Sequence, residues 1–273
     1  MEKVATGVKI SNSAYRKAEG ISSTDLKWIA KSPAHYKYKK EHPTEDTPAL
    51  LFGRAAHKYM LEKEEFFDEF AVAPIVDRRT KDGKAKWQLF MDQNEGKDIV
   101  SSESFEQIKE MYEVLYNTPF VRKLLAGTKE MSYFMKDEET GLMMKCRPDC
   151  TTEIGDANIL IDYKTTDSAD SDDFMRQAIK LMYDLQMAYY KDILDALKGK
   201  QHTVIFIVQE KTAPYCVNIL EANDYFIRSG RDMYRSMLNT YAECKETGNW
   251  YGYMQGSINS LGLPIWLQKQ YEI

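Results

Sequence analysis

The chain has 273 residues, 43% of them hydrophobic and 29% charged, with a net charge of −5 and a pI near 5.6. This balance is ordinary for a soluble globular protein, and the length suits one large domain or a core with insertions. No apolar run nears the length of a membrane span, and MEKVATGVKISNSAYRKAEG at the N-terminus lacks the apolar centre of a secretory signal. Four scattered cysteines make no disulfide framework, so a reducing cytoplasm is the expected compartment. An acidic balance counts against a protein that coats nucleic acid. It does not count against an enzyme that carries metal-binding acids at its centre and basic patches elsewhere.

In chain order, Ser22–Tyr38 reads as a helix with a serine or threonine cap, an apolar stripe of Leu26, Ile29 and Ala30, and a break at Pro33. The stretch Lys27–Lys40, with Lys27, Lys31, Lys37, Lys39 and Lys40 interleaved with Trp28, Tyr36 and Tyr38, makes one basic patch. Glu41–Pro48 reads as a loop, Ala49–Leu61 as a buried helix and Phe66–Pro74 as a strand. Asp77–Lys86 is a second basic patch, with Asp82-Gly83 as a turn signal. A solvated face is the plainer reading of either patch. Ser104–Tyr116 has helical spacing of its apolar residues.

From Glu130 the period shortens to that of strands. Met131–Lys136 and Leu142–Thr152 read as a hairpin through Glu138–Gly141, and Ile159–Lys164 as a third strand of a meander. Asp172–Leu197 reads as one long helix stopped at Gly199, followed by strands Thr203–Val208 and Tyr215–Leu220 and a closing helix Ala222–Glu246. The expected architecture is a single α/β domain over 1–273. It divides into a helical extension at 1–48, a core at 49–246 and an aromatic tail at 247–273.

Alternation puts Asp162 and Lys164 on one face of the third strand, and Lys145, Arg147 and Asp149 on one face of the second. If the two faces meet, two acids lie beside a lysine. That set can hold a divalent cation and steer the water that attacks a phosphodiester. An exposed salt-bridge cluster is the structural alternative. His57 is a competent metal ligand, better suited to Mn²⁺ than to Mg²⁺, although a lone histidine is usually structural. Gly53, one turn earlier, permits close backbone approach beside it. Glu130, just before the first strand, is either a surface acid or a further acid at the metal centre. Gln186 and Tyr190 share a helix face. They read as a polar boundary or as a pair that contacts phosphate and orders Lys164. Cys146 and Cys150 lack the companions of a metal cluster and read as core thiols.

The order His57, Glu130, Asp149, Asp162-Tyr163-Lys164 and Gln186-x3-Tyr190 resembles the RecB-like branch of the PDDEXK nucleases. The stretches SSTDLKWIAKSPAHYKY, ALLFGRAAHKYMLE, CRPD, IDYKTTDSAD and YDLQMAYY resemble the phage exonuclease VIII (RecE) nuclease domains, over roughly residues 20–245. The resemblance implies a restriction-endonuclease-like core with a central mixed sheet flanked by helices. It also implies a Mg²⁺-dependent 5′-to-3′ exonuclease on linear double-stranded DNA in phage-type recombination. A ring-shaped homo-oligomer and a single-strand-annealing protein as partner come with it. Under it, Asp149, Asp162, the Tyr163 backbone carbonyl and His57 hold the metal. Lys164 serves the attacking water, Glu130 a second ion or an outer role, and Gln186 and Tyr190 the scissile strand or Lys164. Arg147 is a candidate for a terminal phosphate by position, and Lys37, Lys39 and Lys40 for the duplex backbone. A related endonuclease, a CRISPR-adaptation nuclease, a non-catalytic DNA-end binder and a glycosidase remain as rivals. The last gives Lys164 no role. The aromatic tail Trp250–Trp266 is the expected device for closing a trimeric or tetrameric ring.

Overall fold

The structure is a computed structural model that describes residues 7–43, 46–253, 258 and 260–269. Helices α1 (Asn12–Lys17), α2 (Ser23–Lys31) and α3 (Pro33–Glu41) come first, and Leu26 of α2 packs into the core with the helices Tyr183–Lys198 and Asp224–Thr247. A capping box between Ser22 and Asp25 starts α2, and Pro33 ends it and opens α3. Next come α4 (Pro48–Leu61), α5 (Phe66–Glu69), β1 (Phe70–Val72), α6 (Lys81–Gln93) and β2 (Asp98–Val100). These are followed by α7 (Ser102–Asn117), α8 (Val121–Leu124), β3 (Thr128–Lys129), β4 (Tyr133–Lys136) and β5 (Met143–Cys146). The core closes with β6 (Cys150–Ile154), β7 (Ala157–Thr166), α9 (Ser171–Lys180), α10 (Tyr183–Lys198), β8 (His202–Glu210), β9 (Val217–Glu221) and α11 (Asp224–Thr247). A short α12 (Ile265–Gln268) lies in the tail.

The central sheet has five strands in the order β3-β6-β7-β8-β9 and is mixed, because only β7 and β8 run parallel. Alternation along β7 feeds two separate cores. Leu160 joins Val204, Phe206 and the buried faces of α10 and α11, whereas Ile159, Ile161 and Tyr163 join Ile207 and the buried faces of α4 and α7. The sheet is thus a layer between two helical layers. Gly230 lets α11 press onto α10: a Cβ there would lie 2.0 Å from the Asp184 carbonyl oxygen.

Four expected elements come out differently. The second strand of the meander is two strands, β5 and β6, which lie in different sheets and are split at Arg147–Asp149. Cys146 and Cys150 therefore fall into opposite cores, both fully buried, as core thiols should. The long helix is broken at Met182, which takes a left-handed backbone (φ 53°), into α9 and α10. Asp82-Gly83 is not a turn but the first turn of α6, capped by the Thr80 hydroxyl. Phe66–Pro74 is helical at its start and contributes only a three-residue strand, β1.

The first residues of the tail pack on their own chain. Trp250 stacks on Tyr36 and meets Tyr241 edge-on, Tyr253 packs near His35, and the Tyr251 carbonyl accepts from the Ala34 N–H. The aromatic start of the tail is committed to α3 and α11 of its own chain. The side chain of Trp266 lies outside the described residues. Among the described residues, no helix is long and apolar enough to cross a membrane.

Candidate metal-dependent active site

The register carries the second and third strands to one point. Cys150 pairs with Ile161, so the residue before β6, Asp149, arrives beside Asp162 and Tyr163. The Tyr163 N–H donates to Asp149 Oδ2 at 2.7 Å. On the other side of that carboxylate, His57 of α4 places Nε2 2.8 Å from the same oxygen. Glu130 closes the group, its Oε1 3.5 Å from His57 Nδ1. Its backbone is left-handed (φ 52°) and its N–H donates to the Asp149 carbonyl. A non-glycine residue in that region costs energy, which the packing around Asp149 must hold in place. Ligand atoms of His57, Glu130 and Asp149 all lie within 4.8 Å of one another.

A second half of the site lies on the α10 side of β7. Lys164 Nζ is 2.6 Å from Asp162 Oδ2, an ion pair whose angles are not those of a hydrogen bond. Gln186 Nε2 donates to Asp162 Oδ1 at 3.3 Å and accepts at Oε1 from Lys27 Nζ at 3.1 Å. Both ammonium groups lie over the Tyr183 ring, Lys27 at 5.0 Å and Lys164 at 4.8 Å from its centre. Both halves border a cavity of about 880 Å³, whose wall includes His57, Glu130, Asp149, Lys164 and Tyr183.

The charges of this site oppose one another strongly. Burial works against a charged His57, yet Asp149 and Glu130 raise its pKa to about 9. Burial would raise the Asp149 pKa, but the His57 charge and hydrogen bond and Lys164 hold it below the usual carboxylate range. Glu130 and Asp162 go the other way: burial, reinforced by the Asp149 charge, pushes both upward. Burial also opposes the Lys164 charge, but Asp162 and Asp149 raise its pKa above the ordinary lysine value. Glu130 Oε1 is buried without a hydrogen-bond partner, whereas Asp162 Oδ2 has the Lys164 ammonium 2.6 Å away. Two acids strained in this way, beside an imidazole, make a donor set that a divalent cation satisfies. Without it, the His57 imidazolium supplies the positive charge.

The predicted residues divide accordingly. His57, Glu130 and Asp149 meet at ligand distance, and Glu130 enters this trio in place of the expected Asp162. Asp162 is turned to Lys164 and Gln186. Tyr163 contributes its N–H, and its hydroxyl donates to Gln209 at 2.7 Å. Tyr190 is buried one turn beyond Gln186. Gly53 has nothing within 4 Å of an added Cβ. No backbone packs against it, and it lines the cavity instead. Arg147 lines the same cavity, donates to Ser132 Oγ and to the Ile10 and Ser11 carbonyls, and lies on the Tyr15 ring. In the basic patch, Lys40 pairs with Asp25 at 2.8 Å, Lys39 lies over Trp28, and Lys37 is exposed. Lys27 reads from sequence only as part of that patch. Its place on the helix stripe of Ser23, Leu26 and Ala30 is the signal that it points inward.

The sequence matches, over residues 22–260, a family described as a PDDEXK-like domain of unknown function, DUF3799. A crystal structure of a putative exonuclease from Eubacterium rectale is similar in fold, with a TM-score of 0.64 and 17% identity, covering 97% of this chain and 99% of that one. The crystal structure of SSO0001 covers 69% of this chain and 85% of its own at 15% identity, but its TM-score of 0.30 carries no weight. No curated protein matches the sequence. With the family model covering most of its length, and with an acid-histidine cluster beside Asp162 and Lys164 on a mixed sheet, the chain belongs to the DUF3799 family of PDDEXK-like domains.

Proposed function

We propose that this protein is a divalent-metal-dependent exonuclease that hydrolyses linear double-stranded DNA from the 5′ end, in phage-type recombination. The observation that carries the reading is the pairing of a His57–Glu130–Asp149 cluster with Lys164, both open to one cavity. His57, Glu130 and Asp149 would hold the cation, with Asp162 beside them. Mg²⁺ is the expected ion, and the imidazole favours Mn²⁺ as a substitute. Bound there, such an ion lowers the pKa of water and offsets the charge that builds on phosphate.

The protein's own groups do the rest. Lys164 is held as a cation by Asp162, so it orients water and phosphate rather than removing a proton. Asp162 fixes Lys164 and is itself fixed by Gln186. Glu130, with an unpartnered buried oxygen and a raised pKa in the metal-free protein, would give up its proton to hold the cation. The exposed lysines of α3 supply sequence-independent phosphate contacts.

A cytoplasmic location, a closed trimeric or tetrameric ring and a single-strand-annealing partner complete the proposal. The ring would let a net-acidic enzyme stay on DNA by topology rather than by attraction. The test is labelled linear duplex with and without Mg²⁺, beside nicked and supercoiled circles, with light scattering on the same sample. Mg²⁺-dependent loss of the linear form from its 5′ ends, with circles spared, is expected. Cleavage of circles would make it an endonuclease, and binding without cleavage an end-binding protein.

A further inference from the structure

We propose that Lys27 is a positioning residue that sets the side-chain orientation of Gln186 and, through it, the Asp162–Lys164 pair. The argument is one of donors and acceptors. A lysine ammonium only donates, and an ionised carboxylate only accepts. Gln186 stands between the two, with Oε1 3.1 Å from Lys27 Nζ and Nε2 3.3 Å from Asp162 Oδ1. While Lys27 is an ammonium and Asp162 a carboxylate, only one orientation of the amide satisfies both neighbours. Turned over, it would set its NH₂ against an ammonium and its oxygen against a carboxylate. Removing Lys27 therefore removes the reason for the amide to present its NH₂ to Asp162.

The placement of Lys27 is built rather than incidental. The Ser22–Asp25 capping box and buried Leu26 and Ile29 fix α2 against the core. The Tyr183 ring meets both Lys27 and Lys164, which offsets part of the cost of bringing two cations together. That cost is real: burial and the Lys164 charge lower the Lys27 pKa to about 7. An apolar residue on this stripe of α2 would pack without that cost.

The kinetic part of this inference rests on the nuclease reading; the orientation of Gln186 does not. The experiment is a double-mutant cycle of Lys27→Met and Gln186→Leu, with Lys27→Arg as the variant that keeps a pure donor. Lys27→Met is expected to lower kcat on linear duplex about tenfold, the scale of one charged hydrogen bond, and to leave KM within about twofold. The double variant should be no slower than Gln186→Leu alone, because Lys27 acts through Gln186. Lys27→Arg should recover most of the rate. Additive losses, or a raised KM with kcat unchanged, would overturn the proposal and make Lys27 a separate DNA contact.

Side-chain amide NMR of Gln186 in the metal-free protein gives the second readout. A protected NH₂ in the wild type and in Lys27→Arg, lost in Lys27→Met, supports the orientation. An unchanged signal in Lys27→Met overturns it. If the wild type cuts no DNA, the nuclease reading fails while this arm still decides the role of Lys27. If Lys27→Met does not fold, Lys27→Gln is read in its place, since its amide no longer enforces one orientation.

Discussion

Metal binding at this site should be tied to the loss of protons, most of all from His57. In the metal-free protein the imidazole lies 2.8 Å from Asp149 and 3.5 Å from Glu130, and its pKa is about 9. A ring nitrogen must give up its proton to become a ligand. At pH 7 His57 is two units below that pKa, so about 99% of the molecules carry the proton. Apparent affinity for Mn²⁺ at pH 7 should then be about 100-fold below its high-pH limit. The sign follows from a raised pKa: protonation competes with metal below about 9, so affinity climbs about tenfold per pH unit from 7 to 8 and levels off beyond 9. Glu130 and Asp162, both pushed upward, add to the slope at the acid end of this range. Calorimetric titration with Mn²⁺ in two buffers of different ionisation enthalpy counts the protons directly. About one proton released per ion at pH 7, falling toward none near pH 10, is the expected result. An affinity flat between pH 6.5 and 8.5 with no proton release would refute the assignment of His57 as a ligand.

Asp149→Ala removes the carboxylate that joins His57 to β7 and should abolish both Mn²⁺ binding heat and cleavage. Lys164→Ala should keep Mn²⁺ affinity within about tenfold while cleavage falls about 1,000-fold, the scale of a lost oriented charge in a water-poor site; retained turnover in both variants would sink the site. Changing Lys37, Lys39 and Lys40 together to Ala should weaken duplex binding and reduce its logarithmic salt slope by about 0.9 for each phosphate that is no longer neutralised. Filter binding from low to moderate salt measures it, and an unchanged slope means that α3 is only a solvated face. Gly230→Ala would set a Cβ 2.0 Å from the Asp184 carbonyl oxygen, so α10 and α11 must separate. A loss of about 2 kcal/mol or more is expected by denaturant titration, and a loss below about 0.5 kcal/mol would show the helix pair to be loosely packed.

Local rules recovered those parts of the chain whose partners lie nearby in sequence. The Ser22 cap, Pro33, the Glu138–Gly141 turn and Gly199 each mark an end that backbone sterics or a nearby side chain decides. Alternation placed Asp162 and Lys164 on one face of β7, and the order of His57, Glu130, Asp149 and Asp162 pointed to a metal-bearing core. What stayed illegible depends on contacts across the fold. The strand expected through Asp149 breaks because β5 and β6 belong to different sheets, β5 pairing with β4 and β6 with β7. The helix expected from Asp172 to Leu197 turns at Met182, a bend that no proline or glycine announces. Arg147 donates to carbonyls of the N-terminal segment, contacts that its place on the strand does not announce. Lys27, 159 residues from Gln186, was one lysine among many until folding set it beside that amide and the Tyr183 ring. Sequence by itself determined which residue types and strand faces can form the site. Tertiary structure decided which acids meet His57 and which lysine holds Gln186, because those pairings are made between elements that only packing brings together.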